Sequence, residues 1–207
     1  MLTNFFLHLH PVSIKKQGIA LSFTWCMGGI TFFLFLVETV TGVLLMFYYV
    51  PSVERAYRDM QIIETDVRFG MLMRNIHRWM AHGMVLTVFM HMMRVFYTGA
   101  YKPPREFNWI VGVVLFVLTL LLSFTGYLLP WDELAFWAIT VGTNMVGSAP
   151  LLGPPNRFVL IGGFDVGAAA LIRFYTLHVI GLPLMAAIFM TVHFWRIRRD
   201  GGLARPL

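Results

Sequence analysis

The amino-acid sequence reads as an all-α integral membrane protein, a four-helix bundle with interfacial helices in its longest connection, forming one domain over residues 1–207. Three observations lead there. The residues are 58% hydrophobic and only 13% charged, with a mean hydropathy of +0.71, well outside the balance of a soluble domain. Four apolar stretches reach or exceed the roughly 20 residues that a membrane-crossing helix needs. Two of those stretches carry paired histidines at intervals that return to one helix face.

The stretches are taken as span A, Leu21 to Val50, span B, Ile76 to Tyr97, span C, Trp109 to Leu129, and span D, Ala168 to Trp195. Ahead of span A, the segment from Asn4 to Gln17 mixes Phe5, Phe6 and Leu9 with polar residues and suits a short amphipathic helix lying in the membrane interface. The start of the chain lacks a short apolar core followed by a small-residue cleavage site, so no signal peptide is expected. The connection from Pro130 to Gly167 is too long for a turn, and its apolar run Leu134 to Val146 predicts one or two interfacial helices.

Four spans put both ends of the chain and the B–C connection on one side. That side carries nine basic residues against two acidic ones, Glu106 and Asp200, while the opposite side balances seven against seven. The asymmetry predicts cytoplasmic, negative-side termini. It also accounts for the isoelectric point near 9.8 without nucleic-acid binding. One cysteine, Cys26, excludes an intrachain disulfide and any CxxC metal site.

Span B holds His77 and His91, and span D holds His178 and His193. At about 100° per residue, an interval of 14 ends about 40° short of four full turns and one of 15 ends about 60° past them, so each pair shares a face with its members about 21–22 Å apart. Spans B and D run parallel, which lets His77 meet His178 near the non-cytoplasmic surface and His91 meet His193 near the cytoplasmic one. Paired neutral imidazoles inside a helix bundle suit two haems of the b type. Two such sites, one above the other, would make an electron path through the bilayer. A lone intramembrane histidine fits a packing role equally well, but four at matched depths favour ligation. His82 lies about 140° from His77 around the helix, off that face.

Gly28 and Gly42 in span A, and Gly112 and Gly126 in span C, repeat the 14-residue interval. Glycine lets a flat ring approach the backbone, although small residues also serve plain helix packing in lipid. Arg74, Arg78 and Arg173 sit in sequence beside the first histidine of each pair, and Arg94, Arg198 and Arg199 beside the second. Their guanidinium groups suit haem propionates or ordinary snorkelling to the interface.

Five runs give the chain a resemblance to the cytochrome b6 family, the amino-terminal half of a split cytochrome b: "CMGGIT" from Cys26, "HRW" from His77, "KPPREFNW" from Lys102, "GYLLPWD" from Gly126 and "RFYTLH" from Arg173. The 15-residue step in span D is similar to the b6 branch. The resemblance implies a quinol oxidoreductase subunit with haem b held by His77 and His178 on the positive side and by His91 and His193 on the negative side. It implies a third haem joined to Cys26 by one thioether bond, where composition alone would suggest a small buried hydrophobe.

Implied partners are a separate C-terminal, subunit IV-like cytochrome b chain, a Rieske iron–sulfur protein, a c-type cytochrome subunit, quinone and lipid. The complexes are expected to be homodimers in a bacterial cell or thylakoid membrane. The family's Pro-Glu-Trp-Tyr run of the quinol oxidation pocket is missing from this chain, whose own contribution there would be Tyr127, Pro130 and the Val141 to Gly147 run. Glu38 stands where the family usually has glutamine, so a carboxyl beside a haem is expected to affect potential or proton uptake. A di-haem anchor of a dehydrogenase would not explain "CMGGIT" or "GYLLPWD", and a proton-relaying transporter is the reading from another class.

Overall fold

A computed structural model describes residues 25–200 of the chain. Among them there is no strand. The helices are α1 (Met27–Met46), α2 (Ala56–Thr65), α3 (Gly70–Tyr97), α4 (Glu106–Leu128), α5 (Glu133–Gly147), α6 (Gly153–Ile161), α7 (Ala168–Thr176) and α8 (Leu182–Arg199), with a π-helical turn, Leu177–Gly181, joining α7 to α8. The interfacial segment expected from Asn4 to Gln17 lies outside the described residues, as do His8 and His10.

Three helical stretches are long and apolar enough to cross a membrane: Met27–Met46, Glu106–Leu128 and Ala168–Arg199. The fourth long helix, α3, has 28 residues, about 42 Å at 1.5 Å per residue. Its length suffices, but Arg74, Arg78, Arg94 and three histidines dilute its apolar character. Large apolar side chains are exposed on all four, for example Phe33, Phe89, Ile110 and Leu184, as the low cost of apolar surface in lipid allows. The chain is an integral membrane protein.

Helix α3 begins six residues before the expected start of span B, because Arg74 and Asn75 interrupt the apolar pattern there without breaking the helix. Helix α2 has no counterpart in the sequence reading. It is a short amphipathic helix that turns Ala56, Asp59 and Ile63 inward. The long connection folds as two helices. Asp132 caps α5 by accepting a hydrogen bond from the Ala135 N–H at 2.8 Å, and prolines stand at the start of α6, where no intrahelical donor is needed.

Contacts divide the chain into two units. The first comprises residues 25–36, 81–120 and 184–200, the second residues 37–80 and 121–183. In the first, Phe32 packs edge-on against Phe194 with centroids 5.4 Å apart, and Thr31 donates to the Thr87 hydroxyl at 3.1 Å.

The second unit buries Tyr49, Ala56, Ile63 and Leu171 together, and beside Phe124 it buries Leu128, Ile139 and Phe174. The Tyr49 hydroxyl donates to the Leu129 carbonyl at 2.6 Å. Asp59, 2% exposed, accepts from the Val50 N–H at 2.9 Å and from Arg55 at 3.4 Å. These bonds tie the segment after α1 to the residue following α4 and to α2.

Candidate functional site

Each unit contains one pair of facing histidines. In the second unit the rings of His77 and His178 have centroids 6.2 Å apart and planes at 81°. In the first unit His91 and His193 stand 6.5 Å apart at 77°. Two metal–imidazole bonds of about 2.0 Å plus roughly 1.2 Å from each ring nitrogen to its centre require about 6.4 Å. Both pairs match the spacing of two imidazoles on one metal.

Each ring also faces one glycine. A methyl group built on Gly28 would lie 3.3 Å from His91 Cε1, on Gly42 3.2 Å from His77 Cε1, on Gly112 3.7 Å from His193 Cε1, and on Gly126 2.6 Å from His178 Cε1. Gly28, Gly42 and Gly126 therefore make room for a histidine that a methyl group would crowd, while Gly112 stands in ordinary contact distance of His193. The interval reads as room for a flat cofactor ring, and an imidazole edge stands beside each of these glycines.

The threonine before two of these glycines adds a contact that sequence reasoning missed. Thr41 Oγ1 lies 2.9 Å from His77 Nδ1, and Thr125 Oγ1 lies 3.1 Å from His178 Nδ1. The hydroxyl of Thr41 donates to the Val37 carbonyl at 2.7 Å and that of Thr125 to the Leu121 carbonyl at 2.8 Å. With its hydrogen so used, each hydroxyl oxygen accepts from Nδ1–H and leaves the lone pair on Nε2, the nitrogen available to a metal. The repeated Thr-Gly dipeptide was the available signal. Glu38 Oε2 lies 3.0 Å from the same His77 nitrogen.

His178 sits in the π turn. A π turn closes one residue later than an α turn, so it takes up the extra residue that distinguishes the 15-residue step of span D from the 14-residue step of span B. Beside His77, an apolar groove of about 360 Å³ is lined by Thr41 and Leu44 of α1, Tyr48 just after it, Phe69 just before α3, and Leu72 and Ile76 of α3.

The other expected residues are less uniform. Arg74 is ion-paired with Glu64, Arg78 is exposed, and Arg173 donates to the Val159 carbonyl at the end of α6. Arg94 and Arg198 are half-buried, while the Arg199 guanidinium stacks over Trp195 at 5.1 Å. His82 is exposed, as its helical phase predicts. Cys26 is exposed at the start of α1, and a methyl group on Gly29 would meet its sulfur at 2.8 Å. The second glycine of "CMGGIT" thus makes room for the thiol.

Among the described residues no three His, Cys, Asp or Glu side chains cluster as an ordinary metal site requires. Two opposed imidazoles suit a metal that brings its remaining donors with it, as the iron of a macrocycle does. The donor set and its spacing fit haem, and the long apolar helices define a helical membrane protein.

Comparison with known proteins agrees. Residues 12–201 match the model of the family described as cytochrome b/b6/petB. The chain is 46% identical over 192 residues to cytochrome b6 of Heliomicrobium gestii, covering 93% of this chain and 88% of that one. Over 196 residues it is 46% identical to cytochrome b6 of Tupiella akineta, covering 95% and 91%. A solved chain of a hyperthermophilic respiratory complex III superposes with a TM-score of 0.80 at 30% identity, covering 86% of this chain. This chain spans about half, 48%, of that complex III chain. The chain belongs to the cytochrome b/b6 family, an electron-transport family whose cofactor is haem b.

Proposed function

We propose that this chain is the electron-carrying subunit of a Rieske/cytochrome b complex of the bc or b6f type, taking electrons from a positive-side quinol oxidation site to a negative-side quinone site. The enzyme is the complex, and this subunit is not catalytic alone. The single observation that carries the reading is the pair of opposed imidazole couples at 6.2 and 6.5 Å, each ring seated against a glycine. His77 with His178, and His91 with His193, would hold two haems b.

Haem supplies one-electron redox chemistry when bound. What the chain adds is position and environment. Thr41 and Thr125 hold two of the imidazoles in the tautomer that presents Nε2. The glycines set how deeply each ring lies against its neighbouring helix. The apolar helices keep the sites dry, and the arginines near each histidine in sequence are proposed partners for propionates. Carrying one charge against 100 mV stores about 2.3 kcal/mol, which is the energetic purpose of a path across the bilayer.

Cys26 would hold a third haem by a thioether bond on the negative side. Its support is an exposed thiol two residues from Gly28, which faces His91. The partners are a subunit IV-like chain, a Rieske protein and a c-type cytochrome subunit, in complexes that pair as homodimers with the ends of this chain on the negative side.

Adding a reduced short-chain quinol to native membranes tests the function. It should reduce a b-type absorption band assignable to this chain, and absence of any b-type response contradicts the proposal. Haem staining after denaturing electrophoresis tests Cys26. Stain on the 23.7 kDa chain should vanish in Cys26→Ala, and an unstained wild-type chain removes the third haem.

A further inference from the structure

The geometry points to Glu38 as a positioning residue that acts through His77 and sets the potential of one metal site apart from the other. The inference rests on the reading of His77 as an axial ligand.

Glu38 Oε2 stands 3.0 Å from His77 Nδ1, and the Glu38 side chain is 14% exposed. Its other oxygen, Oε1, is buried with no hydrogen-bond partner among the described residues. Among the described residues no Lys or Arg nitrogen lies within ion-pair distance of this carboxylate, so it faces the imidazole. Thr41 Oγ1 reaches the same nitrogen at 2.9 Å, and because its hydrogen serves the Val37 carbonyl it too accepts. Thr41 accepts from Nδ1–H and holds the tautomer, and the Glu38 carboxylate oxygen 3.0 Å from the same nitrogen enriches the ring in electrons.

The other three ligands differ. His178 meets neutral partners, the Thr125 hydroxyl at Nδ1 and the Leu122 backbone. None of His91, His178 and His193 has a carboxylate oxygen within ion-pair distance among the described residues. A carboxylate hydrogen-bonded to the far side of an iron-bound imidazole raises the basicity of the ligand. It favours the oxidised site, which carries one more positive charge than the reduced one. The His77 site is therefore pushed to lower potential by a group that the His91 site lacks.

The test is an equilibrium redox titration of the purified whole complex, following the two b-type absorption components separately. Glu38→Gln keeps the size and an acceptor oxygen but removes the charge. It should shift the reduced-to-oxidised ratio of one component about tenfold toward reduction, within the range of outer-shell effects on metal sites, which is about 59 mV for a one-electron couple. The second component should stay in place. Glu38→Asp should retain most of the low potential. Thr41→Val removes the neutral acceptor and leaves the proton to Glu38 alone, so the same component should move in the opposite sense by a smaller factor.

A merely structural role for Glu38 would not produce shifts of opposite sign at one component. If Glu38→Gln moves neither component or both equally, the inference is overturned. Should Glu38→Gln fail to assemble, Thr41→Val still decides, an upward shift or none counting against it. Absence of two b-type components from the unaltered complex would instead overturn the ligand assignment itself.

Discussion

The two histidine couples are nearly superimposable in what they offer a metal and unlike in what stands behind them. Centroid separations of 6.2 and 6.5 Å and interplanar angles of 81° and 77° are close to a repeat. Behind the His77–His178 couple lie Thr41, Thr125 and Glu38, each within 3.1 Å of a ring nitrogen. The residues preceding the corresponding glycines of the His91–His193 couple are Met27 and Val111, which have no hydroxyl to give. Ligand geometry is thus duplicated while the electrostatics are individual. Under the proposed function, two sites with like ligands can then differ in potential.

The comparison breaks most severely at the histidines. His178→Ala should abolish one b-type component and leave the other, read as haem per polypeptide in the purified complex. Retention of both would dissolve the pairing.

The glycines come next, and they grade the same comparison. Gly126→Ala drives a methyl group to 2.6 Å from His178 Cε1, against 3.2 Å for Gly42, 3.3 Å for Gly28 and 3.7 Å for Gly112. A contact under 3 Å forces the ring to move, at the roughly 1–3 kcal/mol usual for overpacking. Thermal loss of the b-type spectrum should fall in the order Gly126→Ala, then Gly42→Ala and Gly28→Ala, with Gly112→Ala nearly silent. A Gly112 variant as damaging as the Gly126 one would show that the imidazoles are not what these glycines accommodate.

Away from the couples, Tyr49→Phe removes the hydroxyl that donates to the Leu129 carbonyl and should cost about 1 kcal/mol. The cost should show as a small drop in melting temperature with both b-type components unshifted. Smallest of all, Thr125→Val should lower the affinity of the complex for one haem slightly and alter its potential less than Glu38→Gln does, because a neutral acceptor is lost rather than a charge.

The couples were legible in the sequence because an α-helix fixes the angular phase of residues 14 apart, whatever surrounds it. The 15-residue step carried a trace of the π turn, which absorbs a residue that ideal α geometry would have left about 60° out of phase. For the glycines the interval shows that space is needed, and the coordinates add that each one faces His77, His91, His178 or His193.

Thr41 and Thr125 were passed over because a threonine inside an apolar helix ordinarily bonds the carbonyl four residues back, and both do. Their second role exists only once a ring from another helix arrives. Helix α2 escaped because ten residues rich in charge, lying between two spans, resemble a polar loop until Asp59 and Ile63 are seen to turn inward.

The most direct test of the account is the number and spin state of the extractable haems in the unaltered, purified complex, measured by solvent extraction and near-infrared magnetic circular dichroism. Two haems b per copy of this chain are expected, both low-spin with two imidazole ligands. A single extractable haem, or a high-spin centre with one imidazole, would contradict it.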